Sequence, residues 1–137
     1  MTEGEAIVNR LVDELWGQRK PEILKEIIAP DCVIHDPAVP DLPKGPDGAR
    51  VYYEIFITAF PDIHVINDEV VANGDLVSAL WTARGTHDGE AMGISPTGTQ
   101  VTITGQALYR VSNGQIVEEW VHADMLGMLK QIGAMPS

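Results

Sequence analysis

A chain of 137 residues is long enough to bury roughly two-thirds of its surface, so one domain spanning 1–137 is expected without disulfide or metal staples. Nine basic against 20 acidic residues leave a net charge of −11, which argues against nucleic acid and anionic membrane as partners, since both select basic patches. The lone Cys32 cannot form an internal disulfide, the first residues lack a basic, apolar leader, and no apolar run spans a bilayer, so a cytoplasmic protein is expected.

Thr2-Glu3-Gly4-Glu5 has capping-box spacing, and Ile7, Val8, Leu11, Val12, Leu15 and Trp16 follow at helical period, so the spacing predicts an amphipathic helix over 3–17. Pro21 suits the first position of a shorter helix with Ile23, Leu24, Ile27 and Ile28 inward, closed by Ala29-Pro30. Cys32–His35 is a short strand or extended segment, ended by Asp36-Pro37. Four prolines and two glycines between residues 37 and 48 predict a loop. Val51, Tyr52, Ile55, Phe56, Ala59 and Phe60 form the apolar stripe of a third helix, which Pro61 ends. From Ile63 the period becomes two. Strands are expected over 63–72, 76–87, 101–111 and 116–124, and a last helix after Asp124 carries Met125, Leu126, Met128, Leu129 and Ile132. Three helices, an antiparallel sheet and a closing helix make the class α+β.

Asn113-Gly114 suits a two-residue hairpin turn. With that loop, Trp120 lies opposite Ala107, His122 opposite Gly105, and Asp124 opposite Ile103. Trp120, His122 and Asp124 then share one face, against small residues that leave room beside an aromatic ring. Ala79, Trp81, Ala83, Gly85 and His87 also share a face that mixes large with very small. Such a sheet is expected to curve around a pocket.

Ala59-Phe60-Pro61-Asp62, Gly85-Thr86-His87-Asp88-Gly89, Pro96-Thr97-Gly98, Asn113 through Trp120 with Asp124, and Gln131-Ile132-Gly133 together resemble the SnoaL-like polyketide cyclase family of the nuclear transport factor 2-like superfamily. The resemblance runs in order over nearly the whole chain. It implies a cone-shaped, curved antiparallel sheet wrapped by N-terminal helices around a deep apolar cavity. It also implies a homodimer formed through the sheet's outer face. In the family's cyclases an aspartate near the end of the last long strand is the acid/base of a cofactor-free aldol closure, and Asp124 stands at that position. A cavity histidine one strand earlier belongs to the same pattern; here the neighbouring strand offers Gln106, with His87 and His122 nearby.

The catalytic candidates are therefore Asp124, His122, His87 and His35, and Tyr53, Phe56, Trp81, Gln106 and Trp120 are candidates to bind a hydrophobic, carbonyl-bearing small molecule. Each has a competing structural reading. Asp124 precedes a helix and suits an N-cap, which lowers a carboxyl pKa where a dry cavity raises it. His122 suits a hydrogen-bonded wall. His87 suits a loop, and His35-Asp36 a local turn. The aromatics suit a core. Tyr53, off the main stripe, is the one expected to show its hydroxyl to a pocket. Cys32 reads as an inert buried thiol, and Glu118 and Glu119 as a solvated strand end. His64 reads as surface.

His122 and Asp124 with His87 or His35 match a two-histidine, one-carboxylate metal set in type, but no two histidines have ligand spacing on one element, so no metal or other cofactor is expected. The expected chemistry is proton abstraction beside a carbonyl, followed by intramolecular closure or isomerisation. Two rivals share the scaffold. One is an epoxide hydrolase, against which Arg84 and Arg110 alternate away from the row; the other is a non-catalytic small-molecule-binding module.

Overall fold

The computed structural model describes residues 1–135. Helix α1 (Glu3–Arg10) is capped by Thr2, whose hydroxyl oxygen accepts the Glu5 N–H at 3.1 Å and donates to the Glu5 carboxylate at 3.2 Å. One arm of the expected capping box is thus formed, while the Glu5 carboxylate meets the Thr2 hydroxyl and not its backbone N–H. The helix runs on as a wide π turn, Leu11–Gly17, and stops at Arg19, a non-glycine residue with φ 57°. The Arg19 guanidinium offsets that strain by donating to the carbonyls of Trp16, Pro61 and Ile63, which ties the helix end to the turn before the sheet.

A 3₁₀ turn (Pro21–Ile23) and the single turn α2 (Leu24–Ile27) lead into β1 (Ile28–His35). The helix ends at Ile27, just before the expected stop at Ala29-Pro30, and the strand begins early enough to take in that dipeptide. β1 is an edge strand, where a proline's missing N–H costs no ladder bond. Helix α3 (Pro46–Ala59) starts earlier than its apolar stripe does, because Pro46 fits the first helical turn and Gly45 takes φ 77° before it. Strands β2 (His64–Asn73), β3 (Leu76–Thr86), β4 (Gln100–Ser112) and β5 (Gln115–Ala123) follow, then α4 (Met125–Gln131).

The sheet order is β1-β5-β4-β3-β2. Four strands are antiparallel, but β1 runs parallel to β5, so the expected antiparallel sheet is mixed and remains open. β1 reaches β5 only after α3 and three strands intervene, and a long crossover of that kind permits parallel pairing.

Register decides which side chains face the helices. Asn113 (φ 51°) and Gly114 (φ 75°) form the expected tight turn, with Ser112 opposite Gln115 and Val111 opposite Ile116. Val117 then bulges, and Arg110 pairs with Glu118. Beyond the bulge Trp120 lies opposite Leu108 and His122 opposite Gln106, not Ala107 and Gly105. One inserted residue inverts the face of everything that follows it. Glu119, Val121 and Ala123 therefore join the inner face of β4, opposite Tyr109, Ala107 and Gly105.

The core fills the space between α1, α3 and this inner face, with Val8, Leu24, Ile27, Ile28, Val77, Ala79 and Ile116 almost fully buried. A second cluster, around Phe60, Ile103 and Met128, seats α4. Gly105 is a steric hinge of the inner face. A Cβ there would overlap the Trp81 ring and stand 2.6 Å from the His122 carbonyl oxygen. Gly105→Ala is expected to cost about 1–3 kcal/mol in urea unfolding and to shift tryptophan emission as Trp81 is displaced; unchanged emission and stability would show that this packing is looser than described.

Candidate active site

A pocket of about 100 Å3 lies between the inner face of the sheet and the helices. That is small beside the ~300–1,000 Å3 of usual ligand sites, so the structure presents a narrow pocket where the resemblance implied a deep cavity. Its walls are apolar, with Leu11, Leu15, Phe56, Ile103 and Met125 among them. Against that background a few polar groups stand out: Glu119, Tyr52, Tyr53, Tyr109, Asn67 and the Trp81 indole.

Glu119 is 7% exposed and faces inward because of the Val117 bulge. Burial raises its pKa to about 8, and the negative charge of Asp36 adds to the effect. Among the described residues no side chain hydrogen-bonds its carboxyl, so nothing favours the ionised form. Tyr109 lies directly opposite on β4, and burial, then the charge of Glu119, push its pKa well above the usual value. Asp36, itself buried at the end of β1, accepts the Tyr52 hydroxyl at 2.7 Å and the Ala38 N–H at 2.9 Å. Burial, then Asp36, raise the Tyr52 phenol in the same way. The pocket therefore holds a protonated carboxyl beside two neutral phenols at pH 7.

The structure divides the sequence candidates. Tyr53, Phe56 and Trp81 line the pocket. Tyr53 is 6% exposed and packs against Trp16, ring centroids 5.0 Å apart. Trp120, His122 and Gln106 lie on the opposite face of the sheet. His35 joins them there, 5.4 Å from the Trp120 ring in a stacked pair, with its Nε2 2.7 Å from the Glu118 carboxylate. The exposed Gln106 donates to Ser78 at 3.2 Å. Asp124 is exposed and caps α4, accepting the Gly127 N–H at 2.9 Å. His87 is fully buried away from the pocket, its Nδ1 2.9 Å from the Thr97 hydroxyl and its ring 5.8 Å from that of Phe60. The four catalytic candidates are thus not brought together. The cause is the register shift for His122, the cap for Asp124, the β1–β5 pairing for His35 and the loop fold for His87.

Cys32 is buried, and burial pushes its thiol up to about 12, as an inert cysteine requires. Among the described residues no three of His, Cys, Asp and Glu are grouped to hold a metal. Arg84 is exposed and Arg110 pairs with Asp75 at 2.9 Å, so neither reaches Glu119's pocket.

Sequence reading missed Glu119, Tyr109, Asp36 and Asn67. The inner face of β4 was legible, because Val101, Ile103, Ala107, Tyr109 and Val111 alternate with polar residues. A glutamate in phase with Val121 and Ala123 was the available signal for Glu119, and only the bulge decides that this phase points inward.

The SnoaL-like polyketide cyclase family matches residues 6–132. The chain belongs to that family. Solved structures of similar fold include IdmH from Streptomyces antibioticus, a candidate polyketide cyclase, at 34% identity and TM-score 0.83, covering 96% of this chain and 99% of that one. AclR from Streptomyces galilaeus, a candidate hydroxylase, is 27% identical with TM-score 0.84 and 98% coverage of both chains. A candidate SnoaL-like polyketide cyclase from Jannaschia sp. CCS1 is 25% identical with TM-score 0.84, covering 98% of this chain and 94% of that one. No curated protein sequence matches the chain. Family membership and these neighbours support a cyclase or isomerase role for this SnoaL-like protein. Among its described residues no helix is long and apolar enough to cross a membrane.

The raised Glu119 pKa has a consequence for stability. Between the ordinary 4.5 and about 8 the unfolded chain releases a proton that the fold retains. Stability linked to this group is therefore fully present below pH 4.5 and is lost as pH rises through 8. Glu119→Gln is expected to be the more stable protein at pH 8 and to lose that advantage at pH 4.5, as read by urea unfolding. An equal difference at both pH values would mean that the carboxyl is not held protonated.

Proposed function

We propose that the chain is a cofactor-free cyclase in which Glu119, not Asp124, is the general acid/base. The observation that carries this is a buried, protonated carboxyl in an apolar pocket with a phenol directly across the strand pair. A carboxyl with a pKa near 8 is a proton donor at neutral pH, in contrast to a solvated aspartate.

The substrate class is a hydrophobic, polyketide-like molecule whose 1,3-dicarbonyl methylene enolises readily, since no strong base lines the pocket. In the closure, the enol carbon attacks a second carbonyl of the same molecule. That carbonyl's oxygen takes the Glu119 proton as the carbon–carbon bond forms. Tyr109 donates a hydrogen bond to the same oxygen. The enol O–H proton then passes to the Glu119 carboxylate, which restores the acid. Such proton transfer contributes roughly 10²–10⁴ in rate, and the remainder comes from folding the substrate against Trp81, Phe56 and Tyr53. A pocket of about 100 Å3 requires the helices to move off the sheet as the substrate binds.

An epoxide hydrolase needs an arginine between its carboxylates, and the placement of Arg84 and Arg110 outside the pocket does not support it. The protein is also proposed to be a cytoplasmic homodimer that pairs through the outer face of the sheet. Ile66, Val71 and Leu80 are exposed there at 38%, 64% and 49%, and charged substitution of Leu80 should yield monomer in sedimentation velocity.

The test of the mechanism uses an aromatic ketone bearing a β-keto ester side chain, with ring closure followed by absorbance. Glu119→Gln should lower kcat about 10²-fold or more, and the wild-type rate should fall above pH 8 as the acid ionises. Asp124→Asn should keep its rate, since asparagine caps a helix about as well as aspartate. Wild-type rate in Glu119→Gln with loss in Asp124→Asn would return the role to Asp124. Tight binding without turnover in any variant would make the chain a binding module.

A further inference from the structure

Asn67 is a polar group the proposed mechanism does not use. It faces the pocket from β2, opposite Trp81 on β3. Its inward direction is set by a second bulge. Asn67 pairs with Trp81 and Glu69 with Leu80, so Asp68 is the inserted residue. The Thr82 hydroxyl donates to the Asp68 carboxylate at 2.6 Å and pins the bulge. On either side of it Val65 and Asn67, then Val70 and Ala72, turn toward the interior. Among the described residues the buried Nδ2 of Asn67 has no hydrogen-bond acceptor.

A buried amide donor without an acceptor destabilises the fold, and leucine at the same volume would remove the penalty. The inner-face residues next to Asn67 by register, Val65, Trp81, Ala83 and Ile103, are apolar or aromatic. That stretch of the sheet gives the amide no side-chain acceptor, and the pocket is the side from which a ligand can supply one. Register also separates Asn67 from the acid. It shares a rung with Trp81, Gly105 and Ala123, whereas Glu119 shares one with Tyr109 and Val77. The two polar groups therefore grip different parts of a ligand.

We infer that Asn67 is a ligand-binding residue whose amide N–H2 donates to a ketone-type oxygen on a fused-ring molecule stacked beside Trp81. This rests on the pocket being the ligand site, and not on Glu119 being the acid. The assignment makes Asn67 a determinant of specificity. It selects oxygenated ring systems over hydrocarbons of the same shape.

The matched probes are 9-fluorenone and fluorene, which differ by one carbonyl oxygen. Binding is read by quenching of tryptophan fluorescence. The wild-type chain should prefer fluorenone by about tenfold, the effect of one net hydrogen bond. Asn67→Leu should bring the two probes within about twofold, bind fluorene at least as well as before, and melt at an equal or higher temperature. Asn67→Val, whose branched side chain suits a strand and offers neither donor nor acceptor, should lose the preference too and serves if the leucine variant folds poorly. An unchanged preference in both Asn67 variants overturns the assignment and leaves the Glu119 reading intact. Failure of both probes to bind the wild-type chain overturns it by showing that the pocket excludes fused rings.

Discussion

A carboxyl group cannot remain charged in an apolar interior without a partner, and the inner face of this sheet contains one with none. Glu119 meets the constraint by keeping its proton. Its neighbours fit that state: Tyr109 is a neutral donor, Cys32 a neutral thiol, and Asp36 accepts from the Tyr52 hydroxyl and the Ala38 N–H. A cation beside Glu119 would strip the proton and remove the acid. The basic groups Arg84 and Arg110 instead lie outside the pocket, as Arg10 does in its pairs with Glu14 and Glu26. The arrangement is less stable than an apolar one would be, and a functional pocket is where proteins retain such groups.

Two bulges build this interior. Val117 turns Glu119 inward at one end, and Asp68 does the same for Asn67 at the other. Each costs one rung of the ladder and aims one polar side chain at the pocket. Gly105 complements them by leaving room for the Trp81 ring between. Glu119 and Tyr109 stand on the interior strands β5 and β4, each held by neighbours on both sides, Asn67 stands on the edge strand β2 beside β3, and Tyr52 and Tyr53 come from α3. The helices supply the apolar wall, and Arg19 holds the end of the first one to the turn at Ile63.

The outer face has a different character. Trp120, His35 and Glu118 form a stacked, ion-paired group there, and His122 and Gln106 stand nearby in the open. These residues have the chemistry of a catalytic site without its environment. In water a histidine beside a carboxylate is a surface pair worth little. Dielectric surroundings, more than residue type, separate the two faces.

Much was legible from the chain alone. The two-residue period placed the four antiparallel strands to within a residue or two, Asn113-Gly114 fixed the last hairpin turn, and the alternation of β4 marked its inner face, whereas only the second half of β1 was legible. Tyr53 could be chosen as a pocket residue because it stands off the main apolar stripe of its helix, and Trp81 because it shares a strand face with very small residues. Period-two logic fails at a bulge, which leaves no mark in composition: Val117 looks like any strand valine, yet it exchanges the faces of Trp120 and Glu119. The parallel partner of β1 and the burial that holds a proton on Glu119 are likewise long-range facts. They depend on which strands meet, and that was decided only when the chain closed on itself.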